Sequence, residues 1–128
     1  MVVNANIEEM ARPAVEDETK SRSEIPAANT VELGNIVSYQ AGAVVSRAIV
    51  SRKTGTITLF AFDAGQGLSE HTAPFDALVH VLEGKAEIAI DGEPFQLSGG
   101  EAILLPANRP HAVRATSRFK MLLVMIRS

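Results

Sequence analysis

The sequence predicts an all-β domain, an antiparallel sandwich or barrel, over most of its 128 residues. From Tyr39 onward, short runs rich in β-branched and aromatic residues alternate with turn signals at intervals of about eight to twelve residues. Helical periodicity is almost absent from the same stretch. Together these observations favour an antiparallel fold whose strands are joined by short turns.

The first two predicted strands cover 44–50 and 56–62, and the stretch 51–55 between them is a predicted turn. The second strand alternates in character, which indicates two distinct faces. One face carries Ile57, Leu59 and Ala61, and the other carries Thr56, Thr58, Phe60 and Phe62. A glycine-rich loop is predicted at 63–67.

The later strands are predicted from the same signals. Asp91-Gly92 lies between two apolar runs, and this pair favours a hairpin because both positions tolerate positive φ. A further turn is predicted at 83–85, around Gly84. With the first two, about eight strands are predicted, the others covering 77–82, 86–90, 95–97, 102–105, 111–115 and 120–126.

Residues 1–30 differ from the rest in composition. They hold six acidic and three basic residues, which accounts for the whole formal net charge of −3. We therefore predict an acidic, partly ordered N-terminal arm over 1–30, followed by a β-barrel domain over 31–128. The alternative is an arm that packs across a partner subunit.

Composition excludes several classes of function. The chain contains no cysteine, which excludes disulfides, thiolate metal sites and cysteine nucleophiles. We see no signal peptide and no apolar stretch of the ~20 residues that a membrane span needs. We therefore expect a cytoplasmic protein that does not enter membranes. Nucleic acid is not an expected partner, because residues 31–128 carry nine acids and nine bases and the chain has few aromatics.

Two stretches each place a histidine beside a turn and next to an apolar run. In the first, Gly65 precedes His71 and Gly84 closes the motif; in the second, Gly100 and Pro106 precede His111. Two such β-motifs folded onto each other would bring both histidines to one mouth of a barrel. In order and spacing, the motifs resemble those of the cupin superfamily, which are small jelly-roll barrels.

The resemblance covers residues from about 40 to 126 and implies a cupin jelly-roll barrel. Cupin enzymes usually hold iron, manganese, nickel or zinc with three histidines and a carboxylate. Only His71 and His111 match those ligands in this sequence. The family's second histidine falls on Ala73 and its glutamate on Ala77, and the asparagine that ends the second motif falls on Ala115. Two imidazoles alone make a weak metal site, because such metals need several converging donors.

The leading hypothesis is a small-molecule-binding cupin of unassigned activity. Its cavity would surround His71 and His111 and be lined by Ala73, Phe75 and Ala77. Two imidazoles at an apolar mouth suit a small anion or a carbonyl compound. The alternative is a metal-dependent oxygenase or isomerase acting on a small polar molecule, with zinc, iron, manganese or nickel on the two histidines. A third hypothesis is an interaction module that uses its arm and outer strands.

Strand parity places Asp76 and His80 on the face opposite Ala77, so we expect both to point outward. In an irregular loop, Asp76 would instead be free to swing inward and complete a metal shell. Arg109 and Arg114 are candidates to pair with a ligand carboxylate, although solvated surface arginines are the simpler interpretation. Asn108 replaces a family glycine and tolerates the left-handed conformation.

The apolar run at 121–126 lacks clean alternation and is predicted to be a buried strand. The same run is a candidate dimer interface, because small cupins commonly pair by joining sheets. We therefore expect a homodimer.

Overall fold

The structure of the protein is a computed structural model that describes residues 24–127. The described residues form seven strands: β1 (Val44–Arg52), β2 (Gly55–Phe62), β3 (Gly67–His71), β4 (Asp76–Ile90), β5 (Glu93–Ser98), β6 (Ala102–Leu105) and β7 (His111–Ile126). They form one sheet in the order β1-β2-β7-β4-β5, with β3 beside β7 and β6 beside β4. The paired strands of this sheet are antiparallel, and the prediction of an all-β jelly-roll barrel is confirmed.

Two long strands, β4 and β7, organise the barrel. They pair along their full lengths, from Asp76 opposite Ile126 to Ile90 opposite His111. The first half of β4 also pairs with β6 and its second half with β5. In the same way, β7 pairs with β3 near its start and with β2 near its end. Each long strand therefore belongs to both halves of the barrel, and the barrel closes around the side chains between them.

The predicted turn at 83–85 is wrong, and so is the break between 111–115 and 120–126. Both stretches are irregular points within continuous strands, with register shifts between Val81 and Glu83 and between Gly84 and Ala86. Gly84 has φ +84° and lies against the backbone of Arg118 and Phe119. Glycine is typical of turns, but Gly84 instead allows a β-bulge that bends the paired strands β4 and β7.

The sequence does not predict strand β3, because its signals favour a loop at 63–67 and because 68–71 is short and polar. It pairs with β7 through Gly67 opposite Arg114 and Leu68 opposite Val113. A Cβ at Gly67 would collide with the carbonyl oxygen of Val113. The missing side chain therefore lets the two strands approach.

The barrel interior is filled by apolar side chains from both halves. Phe62 and Phe119 stack with ring centroids 4.5 Å apart, and Phe60 lies 5.8 Å from Phe62. The two predicted faces of β2 are confirmed. Phe60 and Phe62 face this interior, whereas Leu59 and Ala61 belong to a second cluster with Val37 and Ile49.

The second cluster is covered by residues 24–39, which we call the N-terminal segment. Its Ile25 N–H donates to the carbonyl oxygen of Ile49 (3.2 Å), and Glu24 forms an ion pair with Arg52 (3.1 Å). A single 3-10 turn occupies Leu33–Asn35. Residues 1–23, most of the predicted arm, lie outside the described residues, so the boundary at residue 30 stays a prediction. Among the residues that the structure describes, no helix is long and apolar enough to cross a membrane.

Asp63, just after β2, makes the folded state sensitive to acid. Its carboxylate accepts from the Arg118 guanidinium (2.8 Å) and from the Gly42 N–H (2.6 Å). These contacts, the Arg118 hydrogen bond first, lower the pKa of Asp63 from 3.8 to about 2. Because the folded state favours the ionised form, this stabilisation is present above pH 3.8 and is lost as pH falls through about 2.

We therefore expect Asp63→Asn to lower the melting temperature at pH 7, where the native carboxylate is ionised. The difference between the two proteins should shrink as the pH falls toward 2. Thermal unfolding followed by circular dichroism across this range measures it. An equal difference at pH 7 and at pH 2 would show that the ionised carboxylate is not the source of the effect.

Candidate functional site

The structure brings His71 and His111 together, and we call them the histidine pair. His71 ends β3 and His111 begins β7, and the two residues lie directly opposite each other in the sheet. Their ring centroids are 4.5 Å apart and the ring planes are inclined by 70°. The two sequence motifs thus converge on one point, although they are separated along the chain by the whole of β4, β5 and β6.

Backbone carbonyl groups determine which ring nitrogen of each histidine carries a proton. Nδ1 of His71 lies 3.0 Å from the carbonyl oxygen of Ser69, and Nδ1 of His111 lies 3.1 Å from that of Arg109. A carbonyl oxygen only accepts hydrogen bonds, so each Nδ1 must carry the proton. In a neutral ring with this tautomer, Nε2 presents a lone pair.

His111 is the more deeply buried of the pair, with 2% of its surface exposed. Its Nε2 has no hydrogen-bond partner among the described residues. Burial, and then the nearby His71, lower the pKa of His111 below its usual 6.5. The ring is therefore neutral near pH 7, with an unsatisfied acceptor inside the protein.

Alanines occupy the other two positions where the family carries metal ligands, Ala73 and Ala77, and Ala115 occupies the position of the asparagine that ends the second family motif. All three are buried in the interior cluster. Phe75 is half-buried and packs against the same cluster, and the Arg127 guanidinium lies 5.7 Å from its ring centroid. The predicted site residues thus lie around one interior, but their role in binding stays a prediction.

Two loops that adjoin the histidine pair are tied together. The Asn108 N–H donates to the Ala73 carbonyl oxygen (2.7 Å), and the Ala107 N–H donates to Oδ1 of Asp76 (2.8 Å). Asn108 has φ +65°, so its predicted tolerance of the left-handed conformation is confirmed. Asp76 is exposed, and its carboxylate accepts a hydrogen bond from the loop that contains Ala107. Sequence parity predicted this outward direction but not the partner.

The remaining candidates lie outside the histidine pair. His80 is half-buried on the opposite face of β4, between Ala102 and Leu122 in the register. Arg109 forms an ion pair with Asp91 at 2.6 Å. Arg114 lines a surface pocket of about 360 Å³ together with Glu87, on the outside of the barrel.

Three buried hydroxyl groups were missed by the sequence reasoning. Their oxygen atoms, like Nε2 of His111, lack a hydrogen-bond partner within residues 24–127. Thr56 and Thr58 alternate on β2 with outward-facing apolar residues and precede Phe60 and Phe62 on the inner face, whereas Ser46 lies on β1 opposite Phe60. A threonine pair on that otherwise aromatic face was the available signal. The three residues are Ser46, Thr56 and Thr58.

The donors present do not fit the four-ligand metal centre of the family. No group of three or more histidine, cysteine, aspartate or glutamate residues within 24–127 is placed to hold a metal ion. The two imidazoles of the histidine pair supply only half of a usual set, and alanines supply no donor.

The fold and the paired motifs define a small jelly-roll barrel, and comparisons with known proteins identify its family. A family model described as "Cupin domain" matches residues 58–127. This chain therefore belongs to the cupin family.

The similar proteins differ in what is known of them. The chain is 36% identical to the conserved SPY1581 protein of unknown function from Streptococcus pyogenes, covering 87% of this chain and 97% of that one with a TM-score of 0.79. It is 44% identical to a Cupin 2 conserved barrel domain protein from Leptotrichia buccalis, covering 73% and 45% with a TM-score of 0.71. A curated relative, "Polyketide synthase CurC" from Streptomyces cyaneus, is 32% identical over 66 residues, which are 51% of this chain and 43% of the relative. The chain thus spans less than half the length of that curated relative.

Proposed function

We propose that this cupin binds a small organic molecule at the histidine pair, in a site lined by Ala73, Phe75 and Ala77. The observation that carries the proposal is the buried Nε2 of His111, which has no hydrogen-bond partner among the described residues. An unpaired buried acceptor costs about 1–3 kcal/mol, so a ligand that donates to it recovers that free energy. An apolar site with a few convergent polar groups is the usual form of a small-molecule site.

Access to the site depends on the loops beside it. His111 is almost fully buried, so a ligand reaches Nε2 only when the surrounding side chains and loops separate. The hydrogen bonds from the Asn108 N–H and the Ala107 N–H hold those loops together. Phe75 is half-buried next to the same loops, and we propose that its side chain forms part of a lid over the histidine pair.

A metal-dependent enzyme, an oxygenase or isomerase acting on a small polar substrate, is the second candidate. The tautomer of the histidine pair favours it, because metal-binding histidines characteristically donate from one ring nitrogen to a carbonyl and coordinate through the other. The alanines at the other family positions count against it. Zinc, iron, manganese or nickel is the metal class that two imidazoles would suit.

One set of variants separates these two candidates. We expect His111→Ala and His71→Ala to weaken binding of a hit from a fragment screen by about tenfold or more, which is the effect of about 1.4 kcal/mol. His80→Ala, the matched control on the outer face, should bind as the native protein does. Isothermal titration calorimetry measures the affinities, and mass spectrometry of untagged protein measures metal per chain.

The small-molecule proposal expects substoichiometric metal in both the native chain and the double variant. One transition metal per native chain that both histidine substitutions abolish would instead support the enzyme. Unchanged ligand affinity in His71→Ala and His111→Ala would refute a ligand site at the histidine pair.

We also propose that the chain forms a homodimer. A row of apolar residues, Leu78, Leu104 and Val124, crosses three adjacent strands on the outside of the barrel. Leu78 is 40% exposed and Leu104 is 54% exposed, and Ile126 beside them is 54% exposed. Contiguous exposed apolar side chains of this kind commonly mark protein contacts. A cytoplasmic location is likewise our proposal, in keeping with a chain that has no cysteine.

A further inference from the structure

We infer that the ligand of the histidine pair is a neutral molecule that presents a hydroxyl or N–H group to Nε2 of His111. The inference rests on the proposed small-molecule function and specifies the chemistry of its ligand. It replaces the expectation, drawn from the sequence, that two histidines at a barrel mouth would suit an anion or a carbonyl compound.

The first step is the direction of the hydrogen bonds at Nδ1. In both rings the partner is the carbonyl oxygen two residues earlier in the chain, Ser69 for His71 and Arg109 for His111. Neither carbonyl oxygen can donate a hydrogen bond, so the single ring proton of each neutral histidine lies on Nδ1. The local backbone, rather than the ligand, therefore selects the tautomer of the ring.

The second step is what remains at the other nitrogen. A neutral imidazole that donates from Nδ1 has only a lone pair at Nε2. A carboxylate or a ketone oxygen placed against His111 Nε2 would set lone pair against lone pair. A hydroxyl or N–H group would satisfy the buried acceptor, which is otherwise without a hydrogen-bond partner among the described residues.

The third step concerns the side chains around the histidine pair, which do not stabilise a positively charged imidazolium. Ala73, Ala77 and Ala115 line the interior, and they supply no charge that would hold an imidazolium. The neighbouring carboxylate, Asp76, is exposed and accepts from the Ala107 N–H. A metal ion would also accept the Nε2 lone pair, but residues 24–127 contain no set of three donors for one.

Nuclear magnetic resonance of the full chain tests the inference. Long-range proton–nitrogen spectra of the labelled histidines at pH 7.5 show directly which ring nitrogen carries the proton. Titrations then use probes of matched shape: cyclohexanol against cyclohexanone and cyclohexanecarboxylate, and 2-propanol against acetone. Zinc chloride alone is a separate titration.

We expect protonated Nδ1 in both rings, and alcohols that shift His111 Nε2 and bind about tenfold more tightly than the matched ketones. In His111→Phe, which keeps a ring of similar shape but removes the acceptor, the preference for the alcohol should disappear. His80→Phe should retain it. The tautomer is read on the native protein, so that part of the test does not depend on the variant folding.

Several outcomes would overturn the inference. A proton found at Nε2 of His111 would do so, as would a ketone or carboxylate that binds as tightly as its matched alcohol. Stoichiometric zinc that shifts both Nε2 atoms would replace the organic ligand with a metal. If no probe perturbs either histidine, the proposed function itself fails, whereas ketone binding at the same site refutes only the preference for a donor.

Discussion

Gly84→Ala should destabilise the folded protein by about 3 kcal/mol or more, the largest stability loss that we expect from any single added methyl group in this chain. Gly84 has φ +84°, and a Cβ there would overlap the backbone of Arg118 and Phe119 on β7. Relieving that overlap requires the two long strands to separate where they bend. Urea unfolding of the variant and the native protein measures the difference in the free energy of unfolding.

Gly92 offers a matched control for Gly84. It has a similar φ of +80°, but nothing lies within 4 Å of the Cβ that alanine would add. Gly92→Ala should therefore cost only the conformational strain, about 1–2 kcal/mol. If the two variants lose the same amount, the close approach of β4 and β7 contributes nothing and the bend tolerates a side chain.

Leu104→Asp should convert the proposed homodimer into monomers. Leu104 is 54% exposed and lies opposite Leu78 on the outer face of the barrel. Burying an unpaired carboxylate in an apolar interface costs several kcal/mol, which exceeds what a small dimer can absorb. Light scattering after size exclusion should give twice the 13.7 kDa of one chain for the native protein, and 13.7 kDa for the variant.

Val31→Asp is the control for this surface. Val31 is also an exposed large apolar residue, but it lies in the N-terminal segment and on none of the three strands that carry Leu78, Leu104 and Val124. It should leave the mass of the dimer unchanged. A native protein that is monomeric at all concentrations would refute the homodimer, and a dimer that Val31→Asp breaks but Leu104→Asp does not would place the interface elsewhere.

The sequence predicted the inside of the barrel better than its connections. The alternation of 56–62 gave both faces of β2 correctly, because side-chain direction in a regular strand depends only on parity. The sequence predicts a turn at Gly84 where the structure has a bulge, because the positive φ that glycine tolerates is common to both. Only the register of β4 against β7 distinguishes the two.

In the candidate site, the sequence likewise predicted which residues meet but not the hydrogen bonds that they make. Motif spacing was enough to expect His71 and His111 at one place, and the structure sets them opposite each other. Their tautomer could not be predicted, because it depends on carbonyl groups whose direction is set by the folded backbone. The hydrogen bond from Ala107 to Asp76 joins residues far apart in sequence, so local patterns carry no trace of it.

The N-terminal segment has a practical consequence for anyone who divides this chain. The cupin family model begins at residue 58, after β1 and after the residues that cover its outer face. A fragment cut at that border would lack Val37 and Ile49 and would leave Leu59 and Ala61 open to water. The region that the family model matches thus contains only part of the second cluster, whose described side chains begin at Ile25.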